Sequence, residues 1–212
     1  MPVAVRRAVF LPLLALVTLG VAACGSSSKK TTTSPTTGAA ATGTAATTPT
    51  TAGSSVLVGK QTSIALNPAT SQLLKEHQIV VTAVAPATYR NTLLWPVSGG
   101  HIAVATVAGT IDHTGGIRLS HAGNSVQVTS FIVDTSTNQV TALVGGQRLP
   151  VFAIDTSSVK HQTGTGGTIL ESGLKFTLTE QAANALNSAL GASAFKAGQV
   201  FGTATLTLAV KP

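Results

Sequence analysis

The stretch Thr203-Ala204-Thr205-Leu206-Thr207-Leu208-Ala209-Val210 decides the fold. Ala204, Leu206, Leu208 and Val210 alternate with Thr203, Thr205 and Thr207. A period of two places the first set on a buried sheet face and the threonines on the opposite one. Working outward, strand-like runs recur at residues 79–84, 101–107, 116–120, 125–134, 139–144, 149–154 and 175–178. Compact turn signals separate them: His113-Thr114-Gly115-Gly116, His121-Ala122-Gly123-Asn124, Thr135 to Asn138, and Gly145-Gly146. Gly and Asn tolerate the positive φ that tight hairpins require. Short strands at a spacing of roughly 8–12 residues predict a mainly β domain, an antiparallel meander closed into a sandwich or a barrel.

Two short helices interrupt the strands. Asn67 precedes a helix over residues 68–77, with Pro68 at the first helical position, where a missing N–H costs nothing. Thr179 caps residues 180–190, Glu180 suits the positive end of that helix, and Gly191 can close it in the left-handed conformation. Ile64-Ala65-Leu66-Asn67 and Phe176-Thr177-Leu178-Thr179 both read as a strand end followed by a cap. A faint internal duplication or a shared strand-to-helix grammar would each produce that likeness.

The amino terminus has the physical order of an export signal. Arg6 and Arg7 supply positive charge, an uncharged and largely apolar stretch runs from Ala8 to Ala23, and small residues lead to Cys24. Sixteen such residues fall short of the ~20 needed to cross a bilayer core. Val21-Ala22-Ala23-Cys24 looks like the lipobox of bacterial lipoproteins, which implies cleavage between Ala23 and Cys24 and acylation of the cysteine, the chain's only thiol. The expected organisation is a lipoprotein signal peptide over residues 1–23, a lipidated cysteine and linker over 24–55, and an extracytoplasmic β-rich domain over 56–212. The expected location is the cell membrane, through palmitate-type chains on Cys24. With that thiol committed, the domain folds without disulfides.

From Thr31 to Ser55 every residue is Thr, Ser, Ala, Gly or Pro. Such a tract cannot bury enough apolar surface to offset its ordering entropy, so a disordered tether is expected. As a flexible coil, residues 25–55 would span roughly 30 Å. The net charge of +7 is misleading, because Arg6, Arg7, Lys29 and Lys30 lie in or near the leader. Residues 56–212 carry nine Lys/Arg against six Asp/Glu, dispersed along the chain. Nucleic-acid binding wants a concentrated basic stripe with stacking aromatics, and neither is present.

Catalytic strings are equally scarce. Ser157-Ser158-Val159-Lys160 and Ser193-Ala194-Phe195-Lys196 fit S-x-x-K, but the S-D-N and K-T-G elements that accompany it in penicillin-recognising enzymes do not occur. Gly59-Lys60-Gln61 is out of register for a phosphate loop. There is no G-x-S-x-G elbow and no H-E-x-x-H, so no catalytic or metal-ligating set is assigned. His113 and His121 flank one short strand and stand too far apart to share a metal. His113 has two readings: a ligand oriented by Asp112, or a turn residue bonded to nearby backbone, whose loss changes stability by about 1 kcal/mol at most. Trp95, the only tryptophan, is a core plug or a ligand platform. Tyr89 is the only tyrosine.

Leu66-Asn67-Pro68-Ala69, Trp95 to Gly100, Gly109 to Gly116, and Leu178-Thr179 with Ala182-Ala183 and Leu186-Asn187 resemble a group of bacterial surface and lipoprotein domains. The middle portion is also similar to the secreted haem-transport-associated domain of bacterial iron acquisition. That resemblance implies a β-sandwich binding haem through a tyrosine aided by a histidine. His113 stands near the histidine position, and Tyr89 is the one tyrosine available.

The expected function is therefore a non-catalytic binding or structural module, with no cofactor of its own. It is held to the membrane through Cys24 and meets an envelope ligand or protein rather than nucleic acid. Haem or metal capture is the alternative, with His113, Tyr89 and Trp95 as candidate ligand contacts. An envelope enzyme is the third reading.

Overall fold

The computed structural model describes residues 54–211. The expected signal peptide, the expected cleavage and lipidation at Cys24, and the expected tether as far as residue 53 lie outside the described residues. The chain runs β1 (Ser54–Leu66), α1 (Pro68–Glu76), β2 (Val80–Val84), β3 (Thr88–Tyr89), β4 (Leu93–Ala103), β5 (Ala108–His113), β6 (Gly116–His121) and β7 (Asn124–Asp134). It continues through β8 (Gln139–Val144), β9 (Gln147–Asp155), β10 (Lys160–Thr163), β11 (Thr168–Leu178), α2 (Glu180–Leu190) and β12 (Val200–Val210). Neither described helix is long and apolar enough to cross a membrane.

Of the two β architectures, the chain adopts a barrel. Strands β7-β5-β4-β1-β12-β11-β9-β8 pair in that order, and β8 pairs back onto β7. Eight antiparallel strands thus close on themselves, which leaves the ring without an edge and turns one face of each strand inward. On β12, Ala204, Leu206 and Leu208 are fully buried, while Thr203, Thr205 and Thr207 face outward or are only partly covered. The β2–β6 pair extends the sheet from β7, β3 lies along β4, and β10 lies along β11.

Both helices follow from their caps. The Asn67 side chain accepts from Ala69 N–H at 2.9 Å, and the Thr179 hydroxyl accepts from Ala182 N–H at 3.1 Å. Gly191 takes the left-handed conformation that ends α2. Buried Ala182, Ala183, Leu186 and Leu190 form the face by which α2 packs on β6 to β9. The two strand-to-helix units flank one strand: Leu66 of β1 and Phe176 of β11 are both paired with Gly202 of β12.

Three local expectations are corrected. The run 101–107 is not one strand: β4 ends at Ala103, a turn follows, and β5 starts at Ala108. The chain does not reverse at 113–116. β5 and β6 continue along the same edge of β7, Asp112 opposite Ile132 and Gly116 opposite Thr129. Thr114-Gly115 is a kink between them, and the reversal comes at Ala122-Gly123. At the kink Gly115 has φ +74, and a Cβ there would stand 2.5 Å from Ala87 N, so only glycine fits. Finally, the strand end expected at Ile64-Ala65-Leu66 closes a much longer strand, β1, which begins at Ser54, two residues before the expected domain start. Its bulge at Gly59-Lys60 (φ 125 and 89) shifts the register, so buried Leu57 and buried Thr62 and Ile64 break the two-residue period.

Candidate functional site

His113 is not on the surface. It ends β5 with 4% exposure, and β5 and β7 bring it into the barrel interior. Its Nδ1 lies 3.3 Å from the Phe131 carbonyl and its Nε2 lies 2.6 Å from the Thr62 hydroxyl. A carbonyl only accepts, so Nδ1 carries the proton and Nε2 accepts from Thr62. Burial holds the imidazole neutral and lowers its pKa to about 4, opposed weakly by backbone bonds to Phe131 and Ile111. The turn reading is thereby corrected. His113 is a core residue with both nitrogens engaged, and its truncation leaves a cavity and two orphaned polar groups rather than a loss near 1 kcal/mol.

Trp95 shares that interior layer. It is fully buried, stacks on Phe131 with centroids 3.8 Å apart, and meets His113 edge-on at 6.2 Å. Its Nε1 has no partner among the described residues. Tyr89 sits elsewhere, half-buried on β3 opposite Leu93. The structure therefore brings Trp95 and His113 together and leaves Tyr89 out. Haem held by a tyrosine and aided by His113 does not fit these residues, because the imidazole is already bonded to Thr62 and Phe131. Among the described residues no group of three or more His, Cys, Asp or Glu side chains is placed to hold a metal ion.

The opposite end of the barrel is open. The β4–β5 turn, the β7–β8 turn and the loop after β9 surround a cavity of about 260 Å³. Leu206, Leu174, Ile154 and Val107 form its apolar floor, and Thr106, Asn138 and Thr156 stand at its exposed rim. Glu171 of β11 lines the same cavity at 7% exposure. It takes an inward position like Ile169, whereas Gly173 (φ +88) resets the register before Leu174. Its Oε1 contacts Nδ1 of His161, the residue directly opposite on β10. The His161 side chain is 40% exposed and that of Glu171 is 10% exposed, so the carboxylate is the more enclosed of the two.

Among the described residues no lysine or arginine lines this mouth. Lys175 is engaged with Asp155 at 3.2 Å, and Lys60 donates to Thr168. Asp155 is held down to about 2, first by hydrogen bonds from Ser157 and then by Lys175. Glu171 escaped the reading of the sequence, because a charged residue in Thr168-Ile169-Leu170-Glu171-Ser172 suggests the outward face. Its alternation with Ile169 was the available signal.

No family model matches the chain, and no curated protein matches its sequence. Solved structures do share the fold. The crystal structure of the C-terminal domain of HtaA from Corynebacterium glutamicum superposes with a TM-score of 0.57 at 12% identity, over 74% of this chain and 99% of that one. A domain-swapped dimer of a histidine-to-alanine variant of the same domain gives 0.50 at 14% identity, over 68% and 91%. The haem-binding protein HtaB of that organism gives 0.45 at 13% identity, over 74% and 96%. At such identities the likeness to the HtaA domain is one of fold.

Proposed function

We propose that this chain is a non-catalytic binding module of the bacterial envelope, lipid-anchored at Cys24, whose barrel mouth captures a small ligand. The carrying observation is the 260 Å³ cavity with an apolar floor, a hydroxyl and amide rim, and one carboxylate inside it. Convergent polar groups over an apolar floor are the usual construction of a ligand site. The volume lies below the ~300–1,000 Å³ of drug-sized pockets, which points to a small ligand.

The test begins with protein purified from its own membranes. Small molecules that copurify are identified by mass spectrometry for wild type and for Thr156→Trp. That substitution places an indole over the cavity from an exposed rim position. A molecule present with wild type and lost from a variant of unchanged melting temperature supports the reading. Identical sets for the two proteins overturn it.

Haem capture is the second reading, favoured by the similarity of residues 109–116 and by the fold shared with the HtaA domain. It would use a face other than the buried His113. A Soret band on adding haem, retained in Thr156→Trp, would favour it over the barrel mouth.

A further inference from the structure

Resting on the barrel mouth as the binding place, we infer that its ligand carries a small organic ammonium group, which takes the place of His161 on the Glu171 carboxylate.

Burying a carboxylate costs several kcal/mol unless it is paired and hydrogen-bonded, and an apolar residue of similar size is often more stable there. Among the inward positions of β11, Ile169, Leu174, Phe176 and Leu178 are apolar and Glu171 alone is charged. Its one protein partner among the described residues is His161, bonded through Oε1. Oε2 makes no protein hydrogen bond among the described residues, and Glu171 is one of the residues lining the cavity. Half of the acceptor capacity is thus left for a ligand.

His161 can leave at low cost. It belongs to β10, a four-residue strand exposed along its whole length and paired only with β11. An ammonium offers several N–H donors from one compact head, whereas His161 reaches the carboxylate through a single ring nitrogen. It therefore gains more from the carboxylate than His161 does. With no lysine or arginine in the lining, an anionic ligand would meet Glu171 without compensation. The apolar floor of Val107, Leu174 and Leu206 is suited to a short hydrocarbon portion attached to the cation.

Three probes of matched length separate charge from shape: hexylammonium, hexanol and hexanoate, titrated into the full chain by calorimetry at neutral pH. Hexylammonium should bind saturably, one to one, at least tenfold tighter than hexanol, and hexanoate should be weakest. Glu171→Gln keeps the side-chain shape and should remove the ammonium preference. His161→Ala, which deletes the competitor, should tighten hexylammonium. Equal affinity for hexylammonium and hexanol, or unchanged hexylammonium binding in Glu171→Gln, overturns the inference. If hexanol still binds and Thr156→Trp abolishes that binding, the cavity remains the binding place and the charge preference alone has failed. Absence of hexylammonium binding also overturns it.

Discussion

His113 should make the domain acid-sensitive over a defined window. Its folded-state pKa is about 4, against an ordinary value of 6.5. As pH falls through 6.5 the unfolded chain takes up a proton at this position, whereas the folded chain refuses it until about 4. The unfolded state then binds more protons, so stability falls as pH falls across that interval and is fully present above it. At about 1.4 kcal/mol per unit of pKa difference, acidification from pH 7.5 to 4.5 should remove about 2.5 kcal/mol through this residue. The group is 4% exposed, so solvent screening reduces the figure little. The assay is urea unfolding at half-unit pH steps for wild type and His113→Gln, which is neutral throughout. Losing one of the bonds to Thr62 or Phe131 should destabilise the variant by about 1–3 kcal/mol at pH 7.5. The wild-type advantage should then shrink steadily toward pH 4.5. If the two stability curves run parallel over that range, His113 is not a buried neutral imidazole and the reasoning fails.

Other outcomes follow from the same contacts. Cys24→Ser should release the protein from membranes, because acyl chains contribute ~0.8 kcal/mol per buried CH₂; persistence in the membrane fraction after a carbonate wash would refute acylation there. Gly100→Ala should cost more than ~2 kcal/mol in a urea melt, since a Cβ would lie 2.1 Å from the Thr110 carbonyl at φ +126. Thr179→Ala should cost about 1–2 kcal/mol, because its hydroxyl both caps α2 and donates to the Pro150 carbonyl at 2.6 Å; a change within error would show that α2 is held by packing alone.

Much was legible in the sequence because the cues were local. The two-residue period at residues 203–210 reports which face is buried, and it does so whatever the partner strand. Asn67, Thr179 and Gly191 mark helix ends through bonds that span only a few residues. The turns at Gly123 and Gly145-Gly146 need positive φ, which composition discloses. What the tertiary structure alone decided depends on partners distant along the chain. Barrel closure brings together the two ends of the domain, β1 pairing with β12 so that Ile64 stands opposite Ala204. The alternation of a single strand is the same in a sandwich and in a barrel. His113 looked like a turn residue because glycines follow it. It is a core residue because Thr62, 51 positions away, and Phe131, 18 away, supply its hydrogen bonds. The barrel mouth is the extreme case. Residues from β9, β11, β12 and two turns surround Glu171, and periodicity reports only that a side chain points inward, never what space it meets there.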